Sequence, residues 1–90
     1  MEQRLVKLTL DEWTTQWIER RTDFIMKAAN NEQLVIDYLM EEERKAAERL
    51  YDDLYSMEEI PNTERLDYEL SQLPEELTDE QKEVLLENTH

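Results

Sequence analysis

The chain has 90 residues, of which 24 are Asp or Glu and 10 are Lys or Arg, so its formal net charge is −14. This length allows one small domain, and we expect residues 1–90 to form it. Because the sequence contains neither cysteine nor glycine, it excludes disulfides, cysteine nucleophiles, cysteine-ligated zinc and Gly-rich phosphate loops, and it argues against β-hairpins, whose turns usually need glycine.

The first third of the chain predicts an arm followed by a helix. Residues 1–8 alternate loosely in polarity, which indicates an extended arm that packs on the helices. Thr9 and Glu12 form a capping box, so a helix is expected over about residues 10–28. Three aromatic residues at helical spacing are expected in its core face: Trp13, Trp17 and Phe24.

A second, longer helix is predicted over about residues 32–57. Asn30 and Asn31 precede it, and asparagine tolerates the left-handed conformation that ends a helix. One continuous helix through residue 57 is the alternative, but its narrow apolar stripe would have no partner within the chain. An antiparallel hairpin is therefore favoured, with one broad apolar face on the second helix: Val35, Ile36, Leu39, Met40, Ala46, Ala47, Leu50, Leu54 and Met57.

Two short helices are predicted in the acidic C-terminal part, residues 61–90, which we expect to be partly flexible. The second helix has to end before Pro61, and Pro74 ends a third helix over about residues 63–73. A second capping box, formed by Thr78 and Gln81, predicts a fourth helix over about residues 79–87. The sequence thus predicts an all-α protein, a small helical bundle built on a long antiparallel helix hairpin with two short C-terminal helices.

Two charged residues interrupt the apolar faces of the hairpin. Arg21 and Glu43 each fall in the middle of an apolar stripe. In a hairpin that turns at Asn30-Asn31 they are offset by about 4.5 Å along the axis, which two long side chains can bridge. We therefore predict a partly buried Arg21–Glu43 ion pair that fixes the register of the hairpin. The alternative is that both residues mark an interface with another subunit or partner.

The negative charge is distributed unevenly along the chain. Residues 1–30 are neutral overall, whereas residues 31–60 and residues 61–90 each carry −7. Such an acidic chain is repelled by nucleic acid phosphates and by anionic membranes, and it is attracted to basic protein surfaces. The sequence therefore predicts a basic, nucleic-acid-binding protein as the partner, with no direct binding to nucleic acid or membrane. The alternative is that the charge only keeps the protein in solution.

A row of carboxylates on the second helix is the first candidate for a partner-binding site. Asp37, Glu41, Glu48 and Asp52 lie within about 60° of one another, with steps of about 6 Å and 10 Å along the helix. These steps are comparable to the separation of phosphates along a nucleic acid strand. The nearby bases Arg44, Lys45 and Arg49 interrupt the row, and a solvated helix face is the alternative interpretation. Further candidates are four carboxylates of the C-terminal third and two tyrosines that lie off the apolar stripes: Glu75, Glu76, Asp79, Glu80, Tyr38 and Tyr55.

Catalysis is not favoured by the residue types present. The only histidine is the last residue, so a Ser-His pair or a His-ligated metal is not expected. Carboxylates three residues apart, as in Glu64 and Asp67, can hold Mg²⁺ on one helix face. Such pairs arise by chance in a chain this acidic. We expect no enzyme activity, no cofactor and no metal, and we keep a Mg²⁺-dependent nucleotide hydrolase as a further alternative.

These features together predict a protein-binding regulator or inhibitor that occupies a basic, nucleic-acid-binding surface of its partner. In composition the chain is similar to small acidic helical regulators encoded by phages and mobile elements, some of which mimic DNA to inhibit nucleic-acid-binding proteins. The resemblance implies an anti-defence or host-takeover factor. The alternative is a structural or assembly protein that self-associates, including as a homodimer, through its first two helices. No segment is long and apolar enough to be a signal peptide or to span a membrane, so a cytoplasmic location is expected.

Overall fold

The computed structural model describes residues 6–88, and it contains four helices and no strand within that range. Helix α1 spans Leu10–Ala28, α2 spans Gln33–Ser56, α3 spans Thr63–Gln72 and α4 spans Asp79–Asn88. Helices α1 and α2 pack as an antiparallel hairpin, α3 lies against α1, and α4 lies against α2. The predicted all-α architecture is confirmed, with element bounds that differ from the predicted ones by one residue at most.

Both predicted capping boxes are present. At the start of α1 the Glu12 N–H donates to Thr9 Oγ1 at 3.1 Å, and the Thr9 N–H donates to Glu12 Oε1 at 3.0 Å. The same exchange at the start of α4 joins Thr78 and Gln81 at 3.0 and 3.2 Å. Each exchange satisfies two backbone donors that a helix start leaves without an intrahelical partner, so it fixes where the helix begins.

The turn between α1 and α2 uses asparagine where many proteins use glycine. Asn30 and Asn31 have φ angles of 52° and 61°, in the left-handed region. Asparagine tolerates this region better than most residues with a Cβ. The prediction of a hairpin is therefore confirmed, and the alternative of one continuous helix is wrong because these two residues leave the right-handed helical conformation.

Helix α2 ends in a Schellman motif. The Glu58 N–H donates to the Tyr55 carbonyl at 3.1 Å, and the Glu59 N–H donates to the Leu54 carbonyl at 2.9 Å. Glu58 has a φ of 61°, at the position where glycine is preferred. The helical periodicity stops here, so the prediction that Met57 belongs to the apolar stripe is wrong, and its side chain is 60% exposed.

The core consists of two clusters along the hairpin. The cluster at the N-terminal end of α1 is joined across the hairpin by a 3.0 Å hydrogen bond from Trp13 Nε1 to the Ala47 carbonyl. It contains Leu8, Trp13, Trp17, Ala47, Tyr51, Leu54 and Leu66. The cluster near the Asn30-Asn31 turn contains Ile25, Ala29, Val35, Ile36 and Leu39, with Leu77 and Leu85 packed on it from the α4 side.

These clusters test the predicted core and arm. Trp13 and Trp17 are buried as predicted, whereas Phe24 is only half-buried at the edge of the second cluster. The arm packs on the helices through Leu8, whose N–H donates to the Pro61 carbonyl at 2.7 Å. Residues 1–5 of the predicted arm lie outside the described residues. Tyr51 was not predicted to be in the core, and its hydroxyl donates to the Leu8 carbonyl at 2.9 Å.

None of the helices within residues 6–88 combines the length and the apolar character that crossing a bilayer requires.

Candidate functional site

The predicted carboxylate row follows the exposed side of α2. Asp37, Glu41 and Asp52 are exposed, and Glu48 is half-buried. From the first to the last of them the row extends over about 22 Å, given the rise of about 1.5 Å per helical residue. Its position opposite the buried stripe is the one that helical periodicity predicts.

Arg44 interrupts the middle of this row. Its Nη1 donates to Glu48 Oε1 at 2.8 Å, and its Nε donates to Glu41 Oε2 at 3.2 Å. The hydrogen bonds and charge of Arg44 lower the pKa of Glu41. At one end of the row, Gln33 Nε2 donates to Asp37 at 2.8 Å. Arg44 thus offsets one of the two negative charges at the centre of the row, and the ends of the row carry most of its accessible charge.

Tyr38 and Glu80, which were predicted separately, are brought together by the packing of α4 on α2. The Tyr38 hydroxyl donates to Glu42 Oε1 at 3.2 Å. Partial burial raises the pKa of Tyr38, and the hydrogen bond to Glu42 and the charges of Glu42 and Glu80 raise it further. Four predicted carboxylates are exposed on the link before α4 and on its first turn: Glu75, Glu76, Asp79 and Glu80. Glu75 also lines a cleft beside α1.

Tyr55 belongs to a separate region at the opposite end of α2, about 25 Å along the helix from Tyr38. Its side chain is 46% exposed, and Lys7 Nζ lies 4.0 Å from the centroid of its ring. Ring contacts lead from Tyr55 into the core. The successive centroid separations are 5.0 Å from Tyr55 to Tyr51, 6.1 Å from Tyr51 to Trp13 and 6.2 Å from Trp13 to Trp17.

Three exposed apolar residues in the segments adjoining Tyr55 were missed as candidates by the sequence reasoning. Val6, Met57 and Ile60 are 68%, 60% and 50% exposed. Val6 lies in the arm, and the other two lie in the loop after α2. The sequence carried a signal for Ile60, which lies beyond the predicted second helix and immediately before Pro61.

The predicted Arg21–Glu43 pair is present between α1 and α2. Arg21 Nε donates to Glu43 Oε1, and the two side chains are only 12% and 13% exposed. Trp17 Nε1 also donates to Glu43, at 3.4 Å, and the Arg21 guanidinium lies 4.1 Å from the centroid of the Phe24 ring. The pair therefore belongs to the interior of the hairpin rather than to an exposed interface.

A cleft of about 670 Å³ lies between α1 and the segments around the α3–α4 link. Its apolar walls include Phe24, Leu70 and Leu77, and its basic residues are Arg20, Arg21 and Lys27. Arg20 pairs with Asp67 of α3 and Arg21 pairs with Glu43, so two of the three cations are already neutralised. The cleft thus offers little free positive charge to an anionic ligand.

Within residues 6–88, no group of three or more His, Asp or Glu side chains is arranged to hold a metal ion. Of the carboxylates that were considered for Mg²⁺, Asp67 is engaged by Arg20.

Comparisons with protein-family models, with curated protein sequences and with solved structures found no match to this chain.

Proposed function

We propose that this protein is a small acidic regulator or inhibitor that binds a basic, nucleic-acid-binding surface of a partner protein and competes with nucleic acid for that surface. The fold supports a protein-binding role, because the exposed sides of the hairpin and of α4 carry carboxylates and tyrosines. Tyrosines are enriched at protein interfaces, and carboxylates complement the potential of a basic partner.

The charge density of the molecule is the observation that carries this proposal. Glu2 and Arg4 cancel, so residues 6–88 carry the whole net charge of −14, and they extend over 55 Å. This corresponds to about one net negative charge per 4 Å of length. A nucleic acid strand carries one charge per about 3.4 Å, and a DNA duplex carries one per about 1.7 Å. The protein therefore resembles a single strand in charge density more than a duplex.

The region around the start of α4 is the stronger binding region in this proposal. Arg44 offsets part of the charge at the centre of the α2 row, whereas the carboxylates around the start of α4 are exposed and make no ion pair within residues 6–88. Binding that depends on such charges weakens as salt rises, because screening shortens their range. The partner complex is therefore expected to be strongest at low salt.

The test is a competition experiment with a purified partner. The protein, immobilised, captures its partner from a lysate of the source organism, and the identified partner is then purified and loaded with a labelled DNA or RNA oligonucleotide. Addition of the protein is expected to release the oligonucleotide, less efficiently at higher salt. A ternary complex of partner, oligonucleotide and this protein would contradict the proposal.

Two matched variants locate the binding region. Neutralising three carboxylates near α4 (Glu75→Gln, Glu76→Gln, Glu80→Gln) is expected to weaken competition by about tenfold or more, since each lost contact charge is worth roughly 0.5 kcal/mol or more at low salt. The control neutralises three exposed carboxylates of α1 (Asp11→Asn, Glu19→Gln, Asp23→Asn) and changes the net charge equally. Equal losses in the two variants would show that only total charge matters.

Self-assembly is a second candidate function, favoured by apolar side chains at both ends of the hairpin. Leu34 and Leu86 are 70% and 71% exposed, and Met57 and Ile60 are exposed at the other end of α2. Assembly of copies that each carry −14 would strengthen with salt, which is the opposite of the dependence expected for binding to a basic partner. Light scattering at two salt concentrations separates the two functions, because only self-assembly gives a mass that rises with salt.

A further inference from the structure

Exposed apolar side chains occur where three segments of the chain meet, at the C-terminal end of α2. We name this region the terminal patch and define it by Val6, Tyr55, Met57 and Ile60, which are 68%, 46%, 60% and 50% exposed. The arm reaches this region through the Leu8–Pro61 hydrogen bond, and Lys7 covers one part of the Tyr55 ring. Exposed apolar side chains that cluster within a polar rim are typical of a protein interaction site.

The backbone around the terminal patch is fixed by hydrogen bonds. The Schellman motif holds Glu58 and Glu59 against the last turn of α2, at 3.1 and 2.9 Å. The arm is held from two sides, by its 2.7 Å bond to the Pro61 carbonyl and by the 2.9 Å bond from the Tyr51 hydroxyl to the Leu8 carbonyl. A surface whose backbone is already ordered loses little conformational entropy when it binds, so the terminal patch is pre-organised for binding.

The surroundings of the terminal patch are strongly acidic. No Lys or Arg occurs between Arg49 and Arg65, and the two nearby cations are engaged: Lys7 lies over Tyr55, and Arg65 pairs with Glu59 at 3.1 Å and with Glu69 at 2.9 Å. Five acidic residues occupy the same stretch of chain: Asp52, Asp53, Glu58, Glu59 and Glu64. All five are exposed.

We propose that the terminal patch is the docking site for a basic amphipathic segment of a partner protein, whose apolar residues contact Tyr55, Met57 and Ile60 while its Lys or Arg side chains face the surrounding carboxylates. Charge complementarity selects this occupant over a second copy of the chain, because a symmetric contact would place the same acidic residues against one another. The inference rests on the proposed function for the basic nature of the partner, and it adds an apolar anchor to the charged surface.

The anchor can be tested without the natural partner. The probe is a synthetic amphipathic helix of leucine and lysine, compared with one of leucine and glutamate and with one in which serine replaces every leucine. Binding to the whole protein is followed by NMR of the isoleucine methyl groups. The chain has four isoleucines, of which Ile25 and Ile36 are buried, Ile18 is half-buried and Ile60 is exposed. The leucine–lysine probe alone is expected to shift the Ile60 signal.

Two exposed positions provide matched variants. Ile60→Ser is expected to weaken binding of the leucine–lysine probe by about tenfold, since burying one large aliphatic side chain accounts for that order of affinity. Leu34→Ser removes a similarly exposed apolar side chain from the first turn of α2, about 33 Å along the helix from its last residue, and is expected to leave the affinity unchanged. Because both side chains are exposed, neither substitution disturbs the core.

Three results would overturn the proposal. Equal binding of the serine–lysine probe would show that the carboxylates act without the apolar anchor, and equal loss in both variants would show that no specific patch exists. Self-association of the free protein that Ile60→Ser abolishes would assign the patch to a second copy. The proposed function is tested separately: an Ile60 shift without competition against nucleic acid refutes that function alone, whereas competition that is unaffected by Ile60→Ser refutes the anchor alone.

Discussion

At the scale of single side chains, the pairing of Arg21 with Glu43 explains how two charged residues are accommodated within apolar stripes. Glu43 accepts from both Arg21 Nε and Trp17 Nε1, so two side chains of α1 share one carboxylate of α2. In a buried ion pair, the free energy of attraction between the two charges is about equal to the hydration free energy that they lose. Removing only one member of the pair has a different effect, because the remaining charge is still shielded from water and no longer has an opposite charge beside it.

Arg21→Met is therefore expected to destabilise the protein by about 1–3 kcal/mol, because Glu43 stays partly buried without its cation. This corresponds to a fall in Tm of about 5 °C or more for a chain of this size. The double variant Arg21→Met, Glu43→Leu is expected to recover most of the loss. Calorimetry with light scattering checks both points, and a changed mass would instead place the pair at a subunit interface.

Glu58 provides the second prediction at this scale. A residue with a Cβ in the left-handed conformation is disfavoured by roughly 1 kcal/mol, and glycine removes that penalty. Glu58→Gly is expected to raise Tm by a few degrees. The control is Glu59→Gly, one residue later and outside the left-handed region, which is expected to lower Tm because glycine adds backbone freedom and the ion pair with Arg65 is lost. A lower Tm for both variants would show that the Glu58 side chain stabilises the loop.

At the scale of elements, local signals were sufficient to predict the four helices. Capping boxes, asparagines and prolines mark where helices begin and end. Each of these signals determines the backbone conformation of residues only a few positions away in the sequence. The Schellman motif at the end of α2 was not predictable in this way, because glycine normally marks it and a glutamate occupies that position. The exposure of Met57 and the terminal patch both follow from that one turn.

The candidate site was predictable only in part for a related reason. Helical periodicity correctly places the α2 carboxylates on the exposed face. It does not determine which of them Arg44 contacts, because side-chain rotamers decide that. The proximity of Tyr38 to Glu80 and the burial of Tyr51 depend on contacts between segments distant in sequence, namely α4 with α2 and the arm with α2.

The packing of α4 on α2 can be tested through Tyr38. Its pKa is raised in the folded protein, so the protonated phenol contributes stability below its ordinary pKa of 10.0, and this contribution is lost as the pH rises through the folded value. Glu80→Gln is expected to lower the pKa of Tyr38 towards its ordinary value, as followed by tyrosinate absorbance. The Tyr38→Phe variant shows which part of the tyrosinate absorbance comes from Tyr38. Glu83→Gln, on the same helix as Glu80, is the control and is expected to leave the pKa of Tyr38 unchanged. No change in Glu80→Gln would contradict the packing described.

At the scale of the whole molecule, the net charge of −14 acts against the folded state. The molecule is 55 Å long, and the Debye length falls from about 30 Å at 0.01 M salt to about 10 Å at 0.1 M. Raising the salt over this range is therefore expected to raise Tm, because repulsion between distant carboxylates is screened. The α4 triple variant, with three fewer negative charges, is expected to show a smaller rise. A Tm that falls with salt would show that ion pairs outweigh the repulsion.

The chain of ring contacts from the terminal patch to the core gives the protein an optical reporter of its own. Trp13 is fully buried, which shifts tryptophan emission towards shorter wavelength, and it lies within 6.1 Å of the Tyr51 ring. Tyr55 continues the chain to the surface. Excitation of tyrosines this close to a tryptophan is expected to pass to it, so a molecule that docks on Tyr55 is expected to change the emission of the buried tryptophans without contacting them. Binding at one end of the protein can thus be followed by fluorescence, without an attached dye.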